Sequence, residues 1–139
     1  MGVGVMKATD RKQQGLAVVE MTLILPFLLL LLLGGIEYGC LFLRSQQITN
    51  AARQGARAAI LPGATEGEVL TLVESLMTHA NMSDYTAGVT LGTPTPQGRA
   101  TVEVWVQVPT ASVAIVNAPG FLPIPANLGA SITMAVEGS

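Results

Sequence analysis

The chain has 139 residues, enough for one domain, and half of it is hydrophobic although only 4% is aromatic and 12% charged. A formal net charge of −2 leaves no basic field to attract nucleic acid, and a single cysteine, Cys40, excludes an internal disulfide. The basic residues gather in two places, Lys7, Arg11 and Lys12 near the start and Arg44, Arg53 and Arg57 further on, with Arg99 alone beyond.

Residues 1–15 form a basic, polar leader that closes on Gly15. An apolar stretch opens at Leu16, with a lone carboxylate, Glu20, five residues into it. Between Glu20 and Arg44 lie 23 residues with one charge, Glu37, and in residues 23–33 only Pro26 is not Leu, Ile or Phe. A spanning helix needs about 20 mostly apolar residues. The strong apolar side chains of this stretch contribute roughly −3 to −7 kcal/mol to insertion. A carboxylate at the bilayer centre costs roughly 2.5–3.5 kcal/mol, and Glu20 and Glu37 stand towards the two ends, where it costs less. Insertion wins, and membrane lipid is the first expected partner. A cleaved secretory signal would need a small-residue site after the run, which Gly34-Gly35-Ile36-Glu37 does not supply. A lipoprotein signal would need an aliphatic residue three before Cys40, where Glu37 stands. Six consecutive leucines leave no polar face for a soluble core helix. Three basic residues on each flank leave the orientation undecided by charge.

No strong breaker follows until Leu61-Pro62-Gly63, so the expected helix covers residues 16–61, with Pro26 kinking rather than ending it. From Leu16 to Ile60 it would measure roughly 68 Å, about half of it beyond the bilayer. In that outer half Ile48, Ala52, Gly55 and Ala59 share a face, and small residues at this spacing admit a second helix closely. Arg53 and Arg57 share another face, either simply solvated or an anchor for acidic groups on a partner or on lipid. Glu37 is expected to pair with Arg44 or with a neighbouring subunit. Cys40, in apolar surroundings, reads as a small buried hydrophobe.

Residues 62–139 read as a small α+β domain. Thr65-Glu66-Gly67-Glu68 is a capping box, and Val69, Leu70, Leu72, Val73, Leu76 and Met77 form an apolar stripe at helical spacing up to about Ala80. His79 has no companion ligand nearby and reads as a surface residue. Residues 86–91 alternate weakly and residues 93–98 form a turn. Residues 101–108 alternate cleanly, with Val102, Val104, Val106 and Val108 on one face and Trp105 on the other. Trp105 marks either a contact surface or a site shielded by a loop. Residues 113–116 are a short apolar stretch, residues 117–127 a proline-rich loop, and residues 130–136 alternate again. The result is a helix packed on a three-stranded antiparallel sheet beside the long N-terminal helix, a lollipop. No phosphate loop, Cys/His cluster, nucleophile elbow or paired carboxylates appear, so neither enzyme activity, metal nor cofactor is expected.

The leader closing on Gly15, followed by Leu16 and Glu20, resembles the processing site of type IV prepilins, whose peptidase cuts after the glycine. The resemblance implies cleavage between Gly15 and Leu16. The freed amine of one subunit would then pair with Glu20 of a neighbour and set the filament register; the plainer reading is that Glu20 reaches the headgroups. Further on, Gly34-Gly35-Ile36-Glu37-Tyr38-Gly39 and Asn50-Ala51-Ala52-Arg53-Gln54-Gly55-Ala56-Arg57 complete a pattern that looks like the TadE-like family. The resemblance covers about a third of the chain. It implies a minor pilin, or pseudopilin, of the tight-adherence (Tad/Flp) pilus system, associated with pilus assembly and surface adhesion. It also implies a single-pass inner-membrane protein with a cytoplasmic N-terminus and residues 62–139 as an extracytoplasmic domain. A prepilin peptidase, other minor pilins, the major pilin and the assembly platform become the expected partners. The alternative is a static membrane-anchored envelope binding module with no filament role, in which Glu20 would be dispensable.

Overall fold

A computed structural model describes residues 8–92, 100–115 and 124–136. The chain divides into two compact units, Met1–Ile36 and Glu37–Ser139. The expected turn at residues 93–98, most of the loop at residues 117–127, Lys7 and Arg99 lie outside the described residues.

Helix α1 runs from Ala8 to Ala59 with Pro26 inside it, so the loss of one backbone bond at the proline does not end the helix. It begins within the leader rather than at Leu16; Arg11, Lys12, Gln13 and Gln14 are all good helix formers. In the first unit the side chains from Leu16 to Leu33 are exposed, and the apolar stretch meets the length and hydropathy of a single membrane span.

The second unit is α+β. A turn ends α1: the amide of Ala64 donates to the carbonyl of Leu61 at 3.1 Å, with Pro62 and Gly63 at its corners. Gly63 takes φ +83°, the left-handed conformation that a type II turn requires at this position. Helix α2, Glu66–His79, starts on the complete capping box formed by Thr65 and Glu68. It ends in a Schellman motif. Met82 donates to the carbonyl of Met77 at 3.0 Å, Asn81 donates to that of Thr78 at 2.9 Å, and Asn81 sits at φ 55°. Met77 and Met82, the two residues this motif brings together, are both buried.

Strands β1 (Thr86–Gly92), β2 (Thr101–Pro109) and β3 (Asn127–Ala135) form an antiparallel meander in the order β1-β2-β3. The alternation of β2 is realised as expected, with Val102, Val104, Val106 and Val108 fully buried. Strand β3 starts three residues before the expected Ala130, because Leu128 continues the inward row of Ala130, Ile132 and Met134 opposite Val108. Residues 110–113, which lead into the expected apolar stretch at residues 113–116, form a single helical turn, α3 (Thr110–Val113). Thr110 donates its amide to the carbonyl of Ala126 at 3.0 Å, closing the β2–β3 connection at its base.

The core of this unit joins three elements. Ile48, Ala51, Ala52 and Ala56 of α1 meet Val69, Val73 and Met77 of α2 over the valine face of β2. Small residues on α1 let these backbones come close, so a chain with few aromatic residues still fills its interior.

Candidate functional site

The residues of the expected processing site lie on an uninterrupted helix. Gly15, Leu16 and Glu20 are all exposed, and a side chain at Gly15 would meet nothing within 4 Å. The backbone at Gly15 is helical, whereas a peptidase cleft reads an extended strand; glycine lowers the cost of unwinding there by roughly 1 kcal/mol relative to alanine. Pro26 is exposed within the same apolar surface.

Glu37 has a different setting. It is only 1% exposed, although it is the one charge between Glu20 and Arg44. Both its carboxylate oxygens accept the backbone amide of Ile115, at 3.0 and 3.1 Å, just past α3. The residues are 78 apart in sequence, and no periodicity could have joined them. Arg44, the expected partner of Glu37, instead donates Nη1 to the carbonyl of Ala80, the C-cap of α2. A guanidinium at a helix C-terminus satisfies an orphan carbonyl and opposes the negative end of the helix dipole.

The small-residue face of α1 is occupied within the same unit. A side chain added at Gly55 would stand 2.8 Å from Val73 Cγ2 and 3.2 Å from Val104 Cγ1, so the second helix expected to approach closely here is α2 of the same unit, with β2 beside it. Arg53 and Arg57 remain exposed on the opposite side. Cys40 is half-buried. Trp105 is half-buried too and lies over the strand beside it: its register partner is Gly88, and the indole stands where a side chain at Gly88 would be.

Little here suggests bond-making chemistry. Among the described residues no three His, Cys, Asp or Glu side chains are grouped to hold a metal ion. His79 is exposed, and its Nδ1 donates to the carbonyl of Ser75 at 2.6 Å. A depression of about 270 Å³ at the α1–α2 junction is lined mainly by Ala58, Leu61, Pro62 and Val69, with Glu68 at its edge. The Glu68 carboxyl is held below its ordinary range, first by the backbone amide of Thr65 and then by the Thr65 side chain. What the arrangement offers is an apolar helix compatible with a single-pass membrane anchor, an exposed acidic residue near its start and a small α+β unit.

Comparison with known proteins gives one result for this anchor and the helix beyond it. The family model described as TadE-like protein matches residues 15–57. That range takes in Gly15, Leu16, Glu20, Pro26, Glu37, Arg53, Gly55 and Arg57. No curated protein and no solved structure matches the chain.

Proposed function

With residues 15–57 matching the TadE-like family, which is associated with Tad pilus systems, we propose that this protein is a minor pilin, or pseudopilin, of a tight-adherence pilus. It is held in the inner membrane by α1, with the leader in the cytoplasm and the α+β unit outside. A prepilin peptidase removes the leader after Gly15, and the mature subunit, beginning at Leu16, takes part in pilus assembly and adhesion with other pilins and the assembly platform.

The observation that carries this reading is the family match beginning at Gly15, with Glu20 exposed one turn further on. Removing the leader creates an α-amino group at Leu16. An amine and a carboxylate that are both costly in lipid alone become tolerable as a pair. A pair formed between two subunits fixes their axial register.

Mass spectrometry of the membrane-extracted protein tests the reading. The expected mature N-terminus is Leu16. An intact leader in cells with a working peptidase, or a different N-terminus, overturns it. Glu20→Ala is expected to leave the protein in the membrane and to abolish or sharply reduce piliation; full piliation by this variant would favour the static anchor.

A further inference from the structure

The sheet has a second face that neither the core nor the processing site uses. The inward rows of its three strands pack on the core, so the alternate positions lie together on the other side. Trp105 stands at the centre of that side. Gly88 and Ser131 are its cross-strand neighbours, and Glu103 and Gln107 flank it along β2. All of these positions are interior to their strands and belong to the one α+β unit.

Two glycines keep this face low. A side chain at Gly88 would meet Trp105 Cζ2, Cε2 and Nε1 at 2.7–2.9 Å, and one at Gly129 would meet Gln107 Cγ at 3.1 Å. The indole thus lies across β1 and the Gln107 stem across β3. One side of the ring is covered by backbone and the other is turned outward, which matches its half-buried state. Around the ring the groups are polar. Ser131 donates its hydroxyl to Glu103 Oε1, which holds the carboxylate beside the indole. Gln107 is exposed and adds an amide, and the exposed Thr86, Thr90 and Thr133 add hydroxyls. Among the described outward positions of the three strands, Glu103 is the only charge and Trp105 the only aromatic residue.

The chemistry of this face narrows its ligand. Without a cation it does not match a phosphate, a nucleic acid or an acidic polymer. A stable protein contact takes about 800 Å² per partner around an apolar centre. Three strands by three rows around Trp105 cover roughly 10 by 13 Å of sheet, with one apolar side chain. A single ring bordered by hydroxyl, amide and carboxylate groups suits a small ligand with an apolar face and a polar rim. A pyranose has that form. The C–H bonds of its apolar face are drawn to the negative face of the indole, and its hydroxyls reach sideways to donors and acceptors.

We propose that the outer sheet face around Trp105 is a binding platform for a neutral saccharide, with a sugar ring stacked on the indole and its hydroxyls bonded to Glu103 and Gln107. The inference goes beyond the pilus reading and does not depend on removal of the leader, so either can fail without the other.

The test uses the full chain in a detergent with a phosphocholine headgroup, because a sugar headgroup would compete. Tetrasaccharides of glucose, galactose, mannose and N-acetylglucosamine are titrated, with tetragalacturonic acid as the acidic comparison. Trp105 emission and isothermal calorimetry give the readout. Saturable binding of at least one neutral tetrasaccharide is expected, tighter than that of the acidic one. Trp105→Ala should weaken it at least tenfold, and Gln107→Ala and Glu103→Gln at least threefold each. Gln107 is exposed, so its variant is expected to keep the parent unfolding midpoint; Trp105→Phe, which keeps a ring over Gly88, stands in if the alanine variant fails to fold. No saturable binding by any neutral sugar overturns the proposal. So does binding that the Trp105 and Gln107 variants leave unchanged, or a preference for the acidic sugar. Self-association that Gln107→Arg abolishes, without sugar binding, would mark a protein contact and overturn it as well.

Discussion

Gly55 and Val73 meet so closely that a single methyl group would not fit between them: a side-chain carbon added to the glycine would lie 2.8 Å from Val73 Cγ2. Gly55→Ala therefore sets helix propensity against packing. Alanine favours a helix interior by roughly 0.5–1 kcal/mol, while overpacking a close-packed core costs about 1–3 kcal/mol. The expected net result is destabilisation, measured as a lower unfolding midpoint of the detergent-solubilised protein. Gly67→Ala, on α2 with nothing within 4 Å, is the control and is expected to be neutral or stabilising by up to about 1 kcal/mol.

Removing the Glu37 carboxylate leaves the Ile115 amide without this acceptor. Glu37→Ala is expected to destabilise the α+β unit by about 1–3 kcal/mol, and Glu37→Gln by less because one acceptor oxygen survives. Hydrogen exchange at the Ile115 amide checks the cause directly, since protection should fall in the alanine variant while the β2 amides stay protected.

Arg44→Met keeps much of the apolar stem and removes the donor to the Ala80 carbonyl. The expected cost is about 1 kcal/mol, combining one hydrogen bond from a charged donor with the loss of a favourable charge at the helix end. Exchange protection should fall most in the last turn of α2.

The capping box gives α2 a pH dependence of defined sign. Thr65 lowers the folded-state pKa of Glu68 from its ordinary value of 4.5. The stabilisation is thus present above about pH 4.5 and is lost as the pH falls through the lowered folded value. A pH series of unfolding midpoints should show this acid-side loss in the parent protein and less of it in Glu68→Gln. Thr65→Ala should cost about 1 kcal/mol at neutral pH.

Trp105 is the single tryptophan, so its fluorescence reports the outer sheet face alone. Its indole atoms stand 2.7–2.9 Å from where a side chain at Gly88 would begin. Gly88→Val is expected to push the ring outward and shift its emission to the red. Unchanged emission would show that the indole has another resting place.

Much of the fold could be read from local pattern. The capping box and apolar stripe of α2 and the valine row of β2 are set by neighbours in sequence, and the structure keeps them. Harder to read were features that join distant residues. Nothing near Glu37 points to Ile115, and the small-residue face around Gly55 suits a neighbouring subunit as well as the α2 and β2 that cover it. Only the folded chain decides between them. The proposed processing site is a different case: Gly15 and Glu20 are read from the leader and the apolar stretch around them, and in the fold of one chain they are simply exposed.

A helix has a single circumference to divide among its neighbours. Past the exposed apolar stretch, one arc of α1 is already closed by the valines and methionine of its own unit. What stays open is a stripe of Phe42, Gln46, Asn50, Arg53 and Arg57. Any subunit that docks along this part of the rod must therefore meet a ridge that is polar and cationic towards its far end. Such a seam is assembled by charge matching and weakened by added salt.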